Sequence, residues 1–164
     1  MAMYFSMCDV MQTAVEVEKN GEKFYKTLAE RADNPAATKL FEALASEEKK
    51  HIAVFQEIQE SVNRKPLVCE FDDETKQYIN ALAGEVFTKE KLDAVLKKKN
   101  MSAEDAIRHA ADFEKSSILF FSELRDLVEL HDAKVIDLMI EQEKAHLTKL
   151  LGGKSGGKPN SKKQ

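Results

Sequence analysis

The chain has 164 residues, 43% of them hydrophobic and 33% charged, with a formal net charge of −4. That is apolar material for one filled core, in a chain neither fibrous nor disordered overall, and the charge balance argues only for solubility. Three Pro, six Gly and no β-branched alternation of useful length point to an all-α fold.

The first predicted helix opens at Ser6, whose box partner is Asp9 in place of the usual Glu, and runs to about Ala32. Met1 to Met11 lacks the basic start and apolar middle of a signal peptide. Asp33-Asn34-Pro35 breaks the helix, and Asn34 caps a second one with Pro35 at its first position. Apolar periodicity then continues to Val62, where Arg64-Lys65-Pro66 stops it. Residues 64–101 read as a crossover with two short helices, around Glu74 to Leu82 and Lys89 to Lys99, separated by Gly84 and Val86-Phe87-Thr88. Lys97-Lys98-Lys99 suits a solvated last turn. Ser102 with Asp105 opens a third long helix to about Leu130; His131-Asp132 reads as a break, and a fourth helix ends at Gly152-Gly153. The expected division is therefore a bundle over 1–151 and a flexible basic tail over 152–164, whose Gly/Ser/Lys composition suits disorder better than a nucleic-acid arm.

No apolar run nears the ~20 residues that span a bilayer. Cys8 and Cys69 stand alone, outside any C-x-x-C pair, as reduced thiols would, so a cytoplasmic location is expected.

The chain repeats itself. A shift of 96 places Ser6 on Ser102, Glu18 on Glu114, Phe24 on Phe120 and Leu28 on Leu124. A shift of 95 lays Glu48-Lys49-x-His51 on Glu143-Lys144-x-His146. One Glu-x-x-His is a weak signal, but its return at the matching place of a repeat is a strong one.

Helical spacing decides which way these residues face. The second helix carries the stripe Phe41, Leu44, Glu48, His51, Phe55, Ile58, Val62, and the fourth Ile136, Met139, Glu143, His146, Leu150. The first gives Met11, Ala14, Glu18, Gly21, Tyr25, Leu28, and the third Ile107, Ala110, Glu114, Ser117, Phe121, Leu124. Each apolar seam is thus interrupted by one Glu. Four carboxylates gathered in a low-dielectric core would each cost several kcal/mol in desolvation and would repel one another. Two divalent cations balance the four charges, with the imidazoles of His51 and His146 completing the ligands; the alternatives are interhelical ion pairs or a rotated seam, and no Lys or Arg lies on the seams to make such pairs. Oxygen-rich sites with one nitrogen per metal suit iron or manganese better than zinc or copper. Gly21 and Ser117, one turn past Glu18 and Glu114, are expected to leave room for solvent or a small oxidant.

At this point the sequence resembles the ferritin-like di-iron carboxylate superfamily and, within it, the rubrerythrins, over about residues 6–151. The carriers are Glu18-Lys19-x-Gly21-x-x-Phe24-Tyr25 with Glu48-Lys49-Lys50-His51, and Glu114-Lys115 with Glu143-Lys144-Ala145-His146. The resemblance implies a four-helix bundle of two antiparallel hairpins with parallel second and third helices. It also implies two irons bridged by Glu48 and Glu143, bound terminally by Glu18 and Glu114 and by one histidine each, with Tyr25 donating a hydrogen bond nearby. The implied activity is reduction of hydrogen peroxide; ferroxidase or iron handling, a manganese catalase, and a non-enzymic metal-stabilised sensor bundle are the rivals. Two features depart from the family pattern. The Cys-x-x-Cys rubredoxin module is absent, so electrons would come from an external donor such as rubredoxin; and the extra Glu one turn past the third-helix ligand is replaced by Ser117. A homodimer is the expected assembly.

Overall fold

A computed structural model describes residues 7–63, 72–85, 93–95, 97, 101–127 and 130–152. Five helices are described: α1 (Met7–Arg31), α2 (Pro35–Asn63), α3 (Asp73–Glu85), α4 (Ala103–Arg125) and α5 (Leu130–Gly152). Ser6, Cys69, the Arg64-Lys65-Pro66 stop, most of the expected Lys89 to Lys99 helix and the tail from 153 on lie outside the described residues, as does the side chain of Cys8.

The helix starts follow the expected chemistry. Asn34 Oδ1 accepts the Ala37 N–H at 2.8 Å, with Pro35 in the first turn where no N–H is missed. Ser102 Oγ accepts the Asp105 N–H at 3.0 Å and donates to Asp105 Oδ2 at 2.9 Å, so the short Asp closes the box without the usual Glu. Asp72 Oδ1 does the same service for α3, accepting from Thr75 N at 2.7 Å.

Two boundaries differ from expectation. Helix α4 ends at Arg125, not near Leu130: the N–H groups of Asp126 and Leu127 turn back to Glu123 and Leu124 oxygens at 3.2 and 3.0 Å, tightening the last turn. Leu124 is the last fully buried member of the α4 seam, and Leu127 beyond it is only partly buried against the core. His131 and Asp132 lie inside the first turn of α5. In the crossover, α3 continues through Gly84, a glycine beside which an added Cβ would meet nothing.

Packing pairs α1 with α2 and α4 with α5, and α3 lies against α4 and α1. Leu28, Phe41 and Ala106 meet around a small cavity near one end, while Phe55 stacks on Phe121 (centroids 5.1 Å apart) towards the other. So α2 and α4 run parallel, and the crossover has to travel the length of the bundle, as in ferritin-like connectivity. The seam residues whose side chains are described, which leaves out Val62, are buried with one exception: Ile107 is only half-buried and Ala106 takes its place, the drift expected when a straight helix of 3.6 residues per turn is read with a 3.5 period.

Aromatic layers bracket the middle of the bundle. Phe24, Tyr25, Phe41 and Phe113 form one, with ring centroids 5.4 to 6.3 Å apart. Phe55, Phe120 and Phe121 form the other. Between them lies the polar layer.

Candidate metal centre

Every side chain expected at the centre comes to it. Glu18, Glu48, His51, Glu114, Glu143 and His146 are each at most 1% exposed, and Ser117, one turn past Glu114 on α4, is equally buried. They form two clusters, Glu18/Glu48/His51/Glu143 and Glu48/Glu114/Glu143/His146, within each of which one ligand atom per residue lies inside 4.8 Å of the others. Glu48 and Glu143 belong to both.

The sharing is visible oxygen by oxygen. Glu48 turns Oε2 to His51 Nδ1 (3.4 Å) and Oε1 to His146 Nδ1 (3.5 Å). Glu143 turns Oε1 to His51 Nδ1 (3.0 Å) and Oε2 to His146 Nδ1 (3.7 Å). Of the two imidazoles, Glu18 meets that of His51 (3.2 Å) and Glu114 that of His146 (3.5 Å). The two imidazoles lie nearly parallel, 13° between planes and 5.4 Å between centroids.

Position along the helices explains this geometry. Glu and His three residues apart project from one face of α2, and their counterparts from one face of α5. Because α2 and α5 face each other across the bundle, each Glu can reach past its own His to the opposite one.

The outward ring nitrogens are also engaged, by residues that the sequence reading missed. His51 Nε2 meets Gln142 Oε1 at 2.8 Å, and His146 Nε2 meets Glu47 Oε2 at 2.7 Å. Glu47 is gripped in turn by Lys149 Nζ, at 2.8 and 3.0 Å from its two oxygens. Each partner directly precedes the shared Glu of the opposite hairpin, and the shift of 95 aligns Glu47 with Gln142. That alignment was the available signal. On α1, Tyr25 donates its phenol to Glu114 Oε1.

Electrostatics separate the carboxylates into two kinds. Burial pushes the pKa of Glu18 well above the carboxylate range, and the charges of Glu48 and Glu143 push the same way. Burial likewise raises Glu114, against the opposing contact from His146. For Glu48 and Glu143, burial and mutual repulsion are outweighed by the two histidines and the neighbouring carboxyls, so both stay below the usual value. Burial disfavours the imidazolium forms, but the surrounding carboxylates prevail: His146 is raised to about 12 and His51 further. Burial, then the Glu114 charge, raises the Tyr25 phenol well above its ordinary value, so it keeps its proton. Glu47 is lowered despite its burial, by the hydrogen bond from Lys149 and the charge of His146.

These shifts favour the protonated form at Glu18 and Glu114, the carboxylate at Glu48 and Glu143, and the imidazolium at His51 and His146. This arrangement leaves polar atoms unsatisfied. Among the described residues Glu18 Oε1, both Glu48 oxygens, Glu114 Oε2, Glu143 Oε1 and His146 Nδ1 are buried without a hydrogen-bond partner, and Glu143 Oε1 sits 3.0 Å from His51 Nδ1 but off its hydrogen-bonding direction. Buried orphans cost about 1–3 kcal/mol each, and here they all converge on the same space. No Lys or Arg is buried among the described residues to satisfy them. The donor set therefore fits a di-iron site: five orphaned hard oxygens and the orphaned His146 Nδ1, with His51 Nδ1 beside them.

One expectation is corrected. A Cβ on Gly21 would stand 2.8 and 2.9 Å from Cζ and Cε1 of Phe113, so the space beside Gly21 is taken by a phenyl ring and is not open to an oxidant. Ser117 is different: its Oγ is buried and, among the described residues, has no hydrogen-bond partner.

Comparison with known proteins agrees with this geometry. The rubrerythrin family profile matches residues 9–153, so the chain belongs to the rubrerythrin family. Its structure is similar to that of a Thermotoga maritima protein described as a ferritin-like diiron-carboxylate protein, with a TM-score of 0.72 and 27% identity, covering 96% of this chain and 100% of the other. No curated protein sequence matches the chain. Among the described residues no helix is long and apolar enough to cross a membrane.

Proposed function

We propose that this rubrerythrin-family protein is a di-iron oxidoreductase that reduces hydrogen peroxide with electrons from a separate donor such as rubredoxin. The observation that carries the reading is the division of labour in the carboxylates, with Glu48 and Glu143 each presenting one oxygen to either imidazole. In this reading Glu48 and Glu143 bridge two metals, Glu18 with His51 and Glu114 with His146 complete one metal each, and iron is the metal, with manganese the alternative the donor set also accepts.

Two ferrous ions would supply one electron each, the two electrons that with two protons turn hydrogen peroxide into two waters. The residues do the rest. Glu48 and Glu143 would hold both metals, and Glu18 and Glu114, whose burial favours the protonated carboxyl, would each give up a proton on binding one. Tyr25 keeps a proton at Glu114 Oε1 and so holds that carboxylate in one orientation. The aromatic layers close both ends of the polar layer to water. The Ser117 hydroxyl, one turn from Glu114 and buried without a hydrogen-bond partner among the described residues, is a candidate donor to a bound small oxidant. A cytoplasmic location, where thiols such as Cys8 and Cys69 stay reduced, suits this activity. Leu119 and Leu138, exposed on α4 and α5, are apolar surface available to a homodimer.

A second reading, iron oxidation by molecular oxygen for iron handling, draws on the filled space at Gly21, which narrows access for a substrate. Anaerobic stopped-flow of the reduced, iron-loaded protein separates the two. Peroxide is expected to oxidise it faster than oxygen does, with turnover only when reduced rubredoxin is supplied. Oxidation by oxygen at an equal or greater rate, with ferric product accumulating on added Fe²⁺, would replace the peroxidase reading with iron handling.

A further inference from the structure

The ligand set is duplicated almost symmetrically, but what stands behind it is not. Behind His146 is a carboxylate, Glu47, itself locked by Lys149; behind His51 is an amide, Gln142. Tyr25 donates to Glu114, while the residue that the repeat places opposite Glu18, at 25 plus 96, is Phe121, which has no proton to give.

We infer that Glu47 and Gln142 are positioning residues that make the two metal positions inequivalent, with the Glu114/His146 position the tight, fixed one and the Glu18/His51 position the labile one. The inference rests on the di-metal reading above. Its physical basis is the difference between a carboxylate and an amide as a partner for imidazole N–H. A carboxylate only accepts, so Glu47 fixes His146 as the Nε2–H tautomer, with the Nδ1 lone pair facing the shared carboxylates, and its charge raises the donor strength of the ring. Gln142 is neutral and has both an acceptor and a donor end; turned over, it accommodates the other tautomer of His51, whose Nδ1 then carries the proton and cannot bind metal. Lys149 holds both Glu47 oxygens, so the carboxylate cannot swing away from the ring. No comparable clamp on Gln142 is described.

The test uses the full chain and Fe²⁺ alone, added anaerobically in steps, with Mössbauer spectra of ⁵⁷Fe at each step and circular dichroism to verify folding. The wild type should fill in two resolved steps, the first equivalent giving one quadrupole doublet and the second another. Glu47→Gln should weaken the first step by about 10–100-fold, the usual effect of removing a partner behind a metal-bound histidine, and bring the two steps together. Gln142→Glu should strengthen the second step and bring them together from the other side, without loss of iron. A wild type that takes up two equivalents in one step with a single doublet overturns the inference and leaves the di-metal reading standing. So does a pair of folded variants whose isotherms and doublets match the wild type. A wild type that takes up fewer than two equivalents overturns the di-metal reading and this inference with it.

Discussion

The hairpin of α1 and α2 and that of α4 and α5 supply the same ligand-type residues at spacings that differ by one residue, and they differ in what each lends to the other. The first hairpin gives His146 of the second a carboxylate, Glu47, and gives Glu114 a phenol, Tyr25. The second gives His51 of the first only an amide, Gln142. Direct ligands are constrained together, because four buried carboxylates are tolerable only as a complete set around cations. The residues behind them act one at a time across the hairpin interface and are free to diverge, so a repeated scaffold can hold two unlike metal positions.

The largest effect that would break this comparison comes from the shared carboxylates. Glu48→Ala or Glu143→Ala removes one oxygen from both clusters and should bring metal content towards zero, whereas Glu18→Ala or Glu114→Ala touches one cluster and should leave about one metal per chain. Elemental analysis of the purified variants decides. Equal losses from shared and unshared positions would mean that the two clusters do not act as a bridged pair.

Next comes pH. Burial raises Glu18 and Glu114, and carboxylate neighbours raise His51 and His146 against their burial, so each of the four is shifted towards the protonated form that a metal must displace. The sign follows: protons compete with metal, and affinity rises with pH. About one decade per pH unit is expected for each proton released, up to about four for the loaded centre. An indicator-dye titration of the protein with Mn²⁺ counts them. Binding with no proton release would show that the groups are already deprotonated and that the shifts described above do not hold.

How much of this was legible in sequence depends on direction along or across the bundle. Along a helix, period and caps are local, so Asn34, Pro35 and Ser102 marked starts correctly, and Glu48 with His51 betrayed their inward face by interrupting Phe41, Leu44, Phe55 and Ile58. Across the bundle, nothing local reports register. Glu47 lies beside Glu48 on what reads as a charged surface, and only the approach of α5 turns it into the partner of His146. The α4 end was misplaced for a related reason: His131 and Asp132 look like breakers, yet the reversal is set by where the buried seam stops, at Leu124. The space at Gly21 was misjudged because the ring that fills it, Phe113, belongs to α4.

That last pair of positions offers a smaller test of the same comparison, since Gly21 and Ser117 are matched by the repeat. In Gly21→Ala the new methyl would press on Phe113, which is itself packed against Phe24 and Tyr25, and on the carboxyl carbon of Glu48 at 3.4 Å. Overpacking of this kind costs about 1–3 kcal/mol, which denaturant unfolding of the metal-free protein would register as an equal loss of stability. A neutral outcome would show that Phe113 yields freely and that the site is roomier than its contacts indicate.

Ser117→Ala should have the smallest effect on stability and could carry the opposite sign. The Ser117 hydroxyl is buried with no partner among the described residues, a condition that costs about 1–3 kcal/mol when the group is truly dry. Removing the oxygen relieves that cost and opens a void of about one atom, so the two terms nearly cancel and the net change should lie within about 0.5 kcal/mol, or stabilise slightly. A methyl cannot donate a hydrogen bond, however, so if the hydroxyl serves a bound oxidant, the peroxide rate should fall while metal content and unfolding midpoint hold. The two readouts separate the possibilities. A loss of more than about 1 kcal/mol would mean that the hydroxyl is satisfied in solution by bound water and belongs to the fold. Unchanged stability together with an unchanged peroxide rate would leave position 117 as plain core, and would remove from the proposed function its candidate donor to the oxidant.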